Sequence, residues 1–169
     1  MKSFLKVLVV MLLCLPFLSW SGVRIYKSID FSINCSGHIK RAADANTVEI
    51  AKKEINIVIK YLDDNKLNSG YVSIFLKQPK NDIGFWYQNL KASTEELNKI
   101  NDDASQLEKS NMLMKLRETL IDHGESTTIT KPNGISIYPN NLLYFLWCIL
   151  GIILLIVGII LGIYWYYEY

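Results

Sequence analysis

The apolar positions of this chain gather in two blocks, one at each end, with a mixed and charged region between them. In "NNLLYFLWCILGIILLIVGIILGIYWYYEY", Leu142 to Ile163 holds no charged residue. As a helix this stretch is roughly 33 Å long, enough to cross a hydrocarbon core of about 30 Å. Tyr144 and Trp147 mark one boundary. Tyr164, Trp165, Tyr166 and Tyr167 mark the other, where amphipathic rings favour the headgroup level. Asn140 or Asn141 can cap the helix after Pro139. The pattern predicts a transmembrane helix over 141–167, with 168–169 as a tail. Gly158 and Gly162 form a GxxxG pair, and Gly151 lies one heptad earlier on the same face. Small residues there let another helix approach closely, either the first apolar segment or a second copy.

The N-terminal block, "MKSFLKVLVVMLLCLPFLSWSG", pairs a basic start at Lys2 and Lys6 with an apolar core from Val7 to Leu18. Ser19 and Ser21 have the −3 and −1 spacing of a signal cleavage site, but the bulky Trp20 stands between them. Residues 1–21 therefore read as a cleaved signal peptide or as an uncleaved anchor. Both readings put the middle region outside the cytoplasm. Arg24, Lys27, Lys40 and Arg41 after the segment argue the other way, because positive flanks prefer the cytoplasm. The signal-like architecture outweighs them, and the expectation is an extracytoplasmic domain.

Residues 22–140 have the size of one domain. "SIDFSINC" alternates, with Ile29, Phe31, Ile33 and Cys35 on one side, and predicts a half-buried strand. A long helix is expected from about His38 to Asn65. Its main stripe is Val48, Ala51, Ile55, Val58, Ile59 and Leu62, and Ala43, Ile50, Ile57 and Tyr61 lie on the opposite face. "NSGYVSIFL" predicts a turn and a strand, and "DIGFWYQNL" a short helix starting at Asn81 or Asp82. "STEE" reads as a capping box, Ser93 to Glu96, opening a second long helix that runs to His123 and stops at Gly124. Along it Leu97, Ile100, Ala104, Leu107 and Met114 form a first stripe, which then shifts to Leu113, Leu116 and Leu120. "STTITKPNGISIYP" predicts a hairpin turning at Pro132-Asn133-Gly134, with Ile129, Ile135 and Ile137 on its apolar side. The expected class is α+β: two long amphipathic helices, one short helix and a few short strands, between an N-terminal signal or anchor and a C-terminal transmembrane helix.

Composition narrows the function classes. The net charge is +2, from 18 basic and 16 acidic residues, and no segment has the dense cationic clustering of a nucleic-acid footprint. Of three cysteines only Cys35 lies in the middle region, so no disulfide can form within it. Cys35 and His38 have CxxH spacing, but no further CxxC or HxxxH completes a zinc set, and no metal or cofactor is expected. No phosphate loop, GxSxG or HExxH occurs. Extending the main helical stripe backwards from Val48 lands on Asp44 and Arg41, which read either as helical turns projecting into water or as a semi-buried ion pair. With two antiparallel helices, Arg41 falls near Glu118. Tyr71, Phe75, Phe85, Trp86 and Tyr87 form a second candidate group, either core or a binding patch. Three consecutive aromatics on a helix fan over about 200°.

"CSGHIKRAADANTVEIAKKEINIVIKYLDDN", followed by "SGYVSIFLKQPKNDIGFWYQNLKASTEEL", resembles a group of bacterial membrane-anchored proteins that share C-x-G-H-x-K-R-A-A-D-A-N. That group has no established activity, so the resemblance implies a bacterial origin and supplies no catalytic residue. The expectation is a non-enzymatic membrane protein with an accessory or sensing role. It would hold a protein partner or a second copy through the second stripe of the first long helix and through the glycine face. Two alternatives are an enzyme at the membrane surface using Cys35, His38, Arg41 and Asp44, and a cytoplasm-facing regulator of a membrane complex.

Overall fold

A computed structural model of the chain describes residues 2–101, 103–122, 128–135 and 142–167. It contains α1 (Lys2–Phe31), a π-helical turn (Ser32–Ser36), α2 (Gly37–Ala43), α3 (Val48–Asp64), α4 (Ile83–Lys99), α5 (Gln106–Leu120), β1 (Ile121–Asp122), β2 (Thr128–Ile129) and α6 (Leu142–Tyr167). Two compact units result: Met1–Lys27 with Asn141–Tyr169, and Ser28–Asn140.

In the first unit, α6 and the helical run that starts with α1 are each long and apolar enough to cross a membrane. Almost nothing in the protein covers their apolar stretches, unlike the core helix of a soluble protein. The two run antiparallel. Lys6 Nζ lies 5.6 Å from the Trp165 ring at one end, and the Trp20 and Tyr144 rings are 5.5 Å apart at the other. Glycines set the spacing between them. A Cβ at Gly151 would lie 3.0 Å from Phe17 Cα, and one at Gly158 3.2 Å from Leu13 Cβ. Gly162 is looser, with Val10 at 3.8 Å. The first apolar segment thus fills the glycine face, as small-residue packing between apolar helices requires. Trp147 and Trp165, eighteen residues apart on α6, are separated by about 27 Å of helix, close to a hydrocarbon thickness.

The second unit is mostly helical. Its described strands are the two-residue β1 and β2, antiparallel with Ile121 opposite Ile129. The strand expected over Ile29–Cys35 is instead the end of α1 and the π turn. Phe31, Cys35 and Ile39 are buried while Ile29 and Ile33 are exposed. Phe31 and Cys35 are four apart, a spacing that satisfies an alternating strand and a helix alike, and Ile39 extends the helical series. The long helix expected over 38–65 is broken. Asp44 ends α2, and Thr47, with extended backbone, caps α3 by accepting from the Ile50 amide at 3.3 Å.

On α3, Val48, Ala51, Ile55, Val58 and Leu62 are buried as the stripe predicts, while Ile50 and Ile57 stay exposed. The Tyr71–Leu76 segment is not a strand. Tyr71 makes one isolated bridge to Asp82, and Phe75 and Leu76 face solvent. The helix expected to be short at Asp82 is α4, seventeen residues long. "STEE" lies inside it rather than opening the next helix. Ser93 and Thr94 donate back to the carbonyls of Asn89 and Leu90, an alternative use of the same hydroxyls within a helix.

The cap that opens α5 is Ser105, which accepts from the Glu108 amide at 3.2 Å. Leu116 and Leu120 of α5 are buried, whereas Leu107 and Met114 of the first expected stripe are exposed. α5 ends at Leu120, short of His123. Gly134 does turn the chain, at φ +79°. His123, Gly124, Ile137, Pro139, Asn140 and Asn141 lie outside the described residues. The core joins Phe31, Ile39, Ile55, Leu62, Ile83, Leu90, Leu97, Leu116, Leu120 and Ile135.

Candidate functional site

α2 and α3 meet across the turn that Thr47 caps, and this brings His38 and Arg41 over one carboxylate. Glu54 sits three residues after Ala51 and four before Val58, on the buried stripe of α3, and is 2% exposed. Its Oε1 lies 2.7 Å from Arg41 Nη2, and its Oε2 lies 2.6 Å from His38 Nδ1. An ionised carboxylate only accepts, so the hydrogen of the second bond is on Nδ1. A buried carboxylate is tolerable when its oxygens are paired in this way. Arg41 reaches it from the solvent edge, its side chain 66% exposed. The ion pair expected between Arg41 and Glu118 is not formed; Arg41 pairs with Glu54. Residue 117, next to Glu118, is the one that meets α2: Arg117 Nη2 lies 3.8 Å from Asp44, with both side chains about half exposed. A pair of this kind contributes about 0–1 kcal/mol.

Cys35 is elsewhere, fully buried in the core. Burial pushes its thiol up to about 12, and the charge of Lys131 only partly opposes this. At 0% exposure Cys35 packs as a core side chain. Arg41 and Asp44 share a shallow hollow whose lining includes neither Cys35 nor His38. The four residues of the polar cluster therefore do not converge on one pocket. Among the described residues, no three of His, Cys, Asp and Glu come together as metal ligands. Extending the stripe backwards from Val48 to Asp44 and Arg41 passes over Glu54. The signal was an acid at a stripe position between Ala51 and Ile55.

The aromatic group divides. Phe85 is exposed, Trp86 is buried with its indole donating to Thr130 O at 2.7 Å, and Tyr87 donates to Asp63 at 2.8 Å. Desolvation, then the Asp63 carboxylate, holds the Tyr87 phenol above its ordinary value. Lys77 lies over the Tyr71 ring at 5.8 Å, and Phe75 is exposed on the 73–78 loop. Of this group only Phe85 and Trp86 line a cleft of the second unit, an open space of about 910 Å³ between the π turn and α2, the start of α4, and the β2 turn. No protein-family model, no curated protein and no solved structure matches the chain.

Proposed function

We propose that the chain is a non-enzymatic membrane protein of bacterial type. Its apolar helices form one retained hairpin anchor that holds the helical domain on the outer side of the membrane. The observation that carries this reading is the filling of the Gly151 and Gly158 faces by Phe17 and Leu13. In the absence of α1, α6 would expose those grooves, so the N-terminal segment is an anchor half and not a disposable leader. A binding role is supported by the dispersal of the polar cluster into a core thiol, a braced carboxylate and a surface ion pair. It is supported also by the exposed Ile50 and Ile57 on α3, which offer an apolar face to a protein partner or a second copy.

Cys35 is too buried to report topology, so an exposed cysteine is needed. Asn98→Cys on α4 should react with a membrane-impermeant maleimide in intact cells. Labelling only after permeabilisation would turn the domain inward, the orientation that Arg24 and Lys27 favour.

A further inference from the structure

The cleft beside Trp86 joins cationic and apolar side chains. Three ammonium groups reach it from separate places in the chain: Lys40 on α2, Lys80 in the turn before α4, and Lys131 after β2. Lys40, Lys80 and Lys131 make no ion pair with any described residue, and Lys131 Nζ lies 3.5 Å from Ser36 Oγ and over the Phe31 ring. Two carboxylates, Asp82 and Asp122, also line the cleft, so its cationic excess is one charge. Asp82 caps α4 by accepting from the Phe85 amide at 3.0 Å, and Asp122 is engaged in an interaction of its own. Phe85, Trp86 and the buried Pro132 supply apolar surface to the same lining. The hydrogen bond from Trp86 to Thr130 ties α4 to the β2 turn and fixes the indole in that wall. A space of about 910 Å³ is of the size that takes a small organic molecule.

We infer that this cleft binds a small organic anion with a flat apolar body. The body lies against Phe85 and Trp86, and the negative group meets the three lysines. This adds a small-molecule ligand to the binding role proposed above and rests on that reading. Its test is independent of the anchor, so either can fail alone.

Trp86 is the one tryptophan of Ser28–Asn140, which makes it a reporter. The full chain, labelled with 5-fluorotryptophan and held in lipid nanodiscs, is titrated with 1-naphthyl phosphate and followed by fluorine NMR. The Trp86 resonance, assigned with Trp86→Phe, should shift saturably, while Trp20, Trp147 and Trp165 stay unmoved. Inorganic phosphate and 1-naphthol should each bind about tenfold or more weakly, because each lacks half of the match. Raising the salt concentration should weaken the naphthyl phosphate complex. Lys40→Gln/Lys80→Gln/Lys131→Gln should lose about tenfold or more in affinity. These three side chains are exposed, so circular dichroism should remain that of the parent. Phe85→Ala, also at an exposed position, should weaken binding without changing the salt dependence. An unmoved Trp86 resonance, equal binding of 1-naphthol, or unchanged affinity in the triple variant would each overturn the inference.

Discussion

Glu54 shows how one side chain redefines its neighbours. Arg41 and His38, read from sequence as part of a candidate site, are the two donors that make a buried carboxylate tolerable. Removing the acid and removing a donor should carry unequal costs. Glu54→Gln removes the shared acceptor charge and should destabilise the domain by about 1–3 kcal/mol. Arg41→Ala leaves the buried Glu54 charge with one donor and should cost more, about 3–5 kcal/mol. Denaturant unfolding of the two variants measures the difference, and equal losses would remove the brace. The buried face of α3 was legible because its apolar residues recur at helical spacing. The place where α2 stops was not, because Arg41 and Asp44 continue the same spacing through a turn. What breaks the helix is local: Thr47 adopts extended backbone and caps α3, an option that a threonine in a periodic run does not advertise.

The expected strand over Ile29–Cys35 became helix because a four-residue repeat is also an even one, and only Ile39 further along separates the two periods. The capping box offered a similar choice. Ser93-Thr94-Glu95-Glu96 and Ser105-Gln106-Leu107-Glu108 both fit the pattern, and the second one starts a helix. The extended backbone at Ile100, where α4 ends, makes that start necessary. The glycine face of α6 was legible as a contact surface from its small residues alone, but sequence left open which helix covers it. The clearances to α1 now rank the positions. Gly151→Ala should disrupt the pairing most, since its Cβ would meet the Phe17 backbone at 3.0 Å. Gly158→Ala should follow, with a side-chain neighbour at 3.2 Å, and Gly162→Ala should be nearly silent at 3.8 Å. Thermal unfolding of the three variants in one detergent measures this order. A Gly162→Ala effect as large as that of Gly151→Ala would contradict the packing.

On the scale of the whole molecule, two apolar helices flank one helical domain and are themselves paired. That pairing sets Phe17 and Leu13 against the glycine face of α6. It also assigns roles to the aromatics at both ends. Trp20, Tyr144 and Trp147 gather at one end of the hairpin, and Trp165 with Lys6 at the other. Both ends suit the interfacial zones of a bilayer.

The most direct measurement uses a cysteine already present. A Cβ at position 158 would lie 3.8 Å from Cys14 Sγ, a distance from which a disulfide can form with small adjustment. Gly158→Cys, oxidised in native membranes and read by intact mass and non-reducing peptide mapping, should give a monomer that retains residues 1–21 and carries a 14–158 disulfide. A membrane protein that begins at residue 22, or cross-links that join only separate copies, would contradict the hairpin.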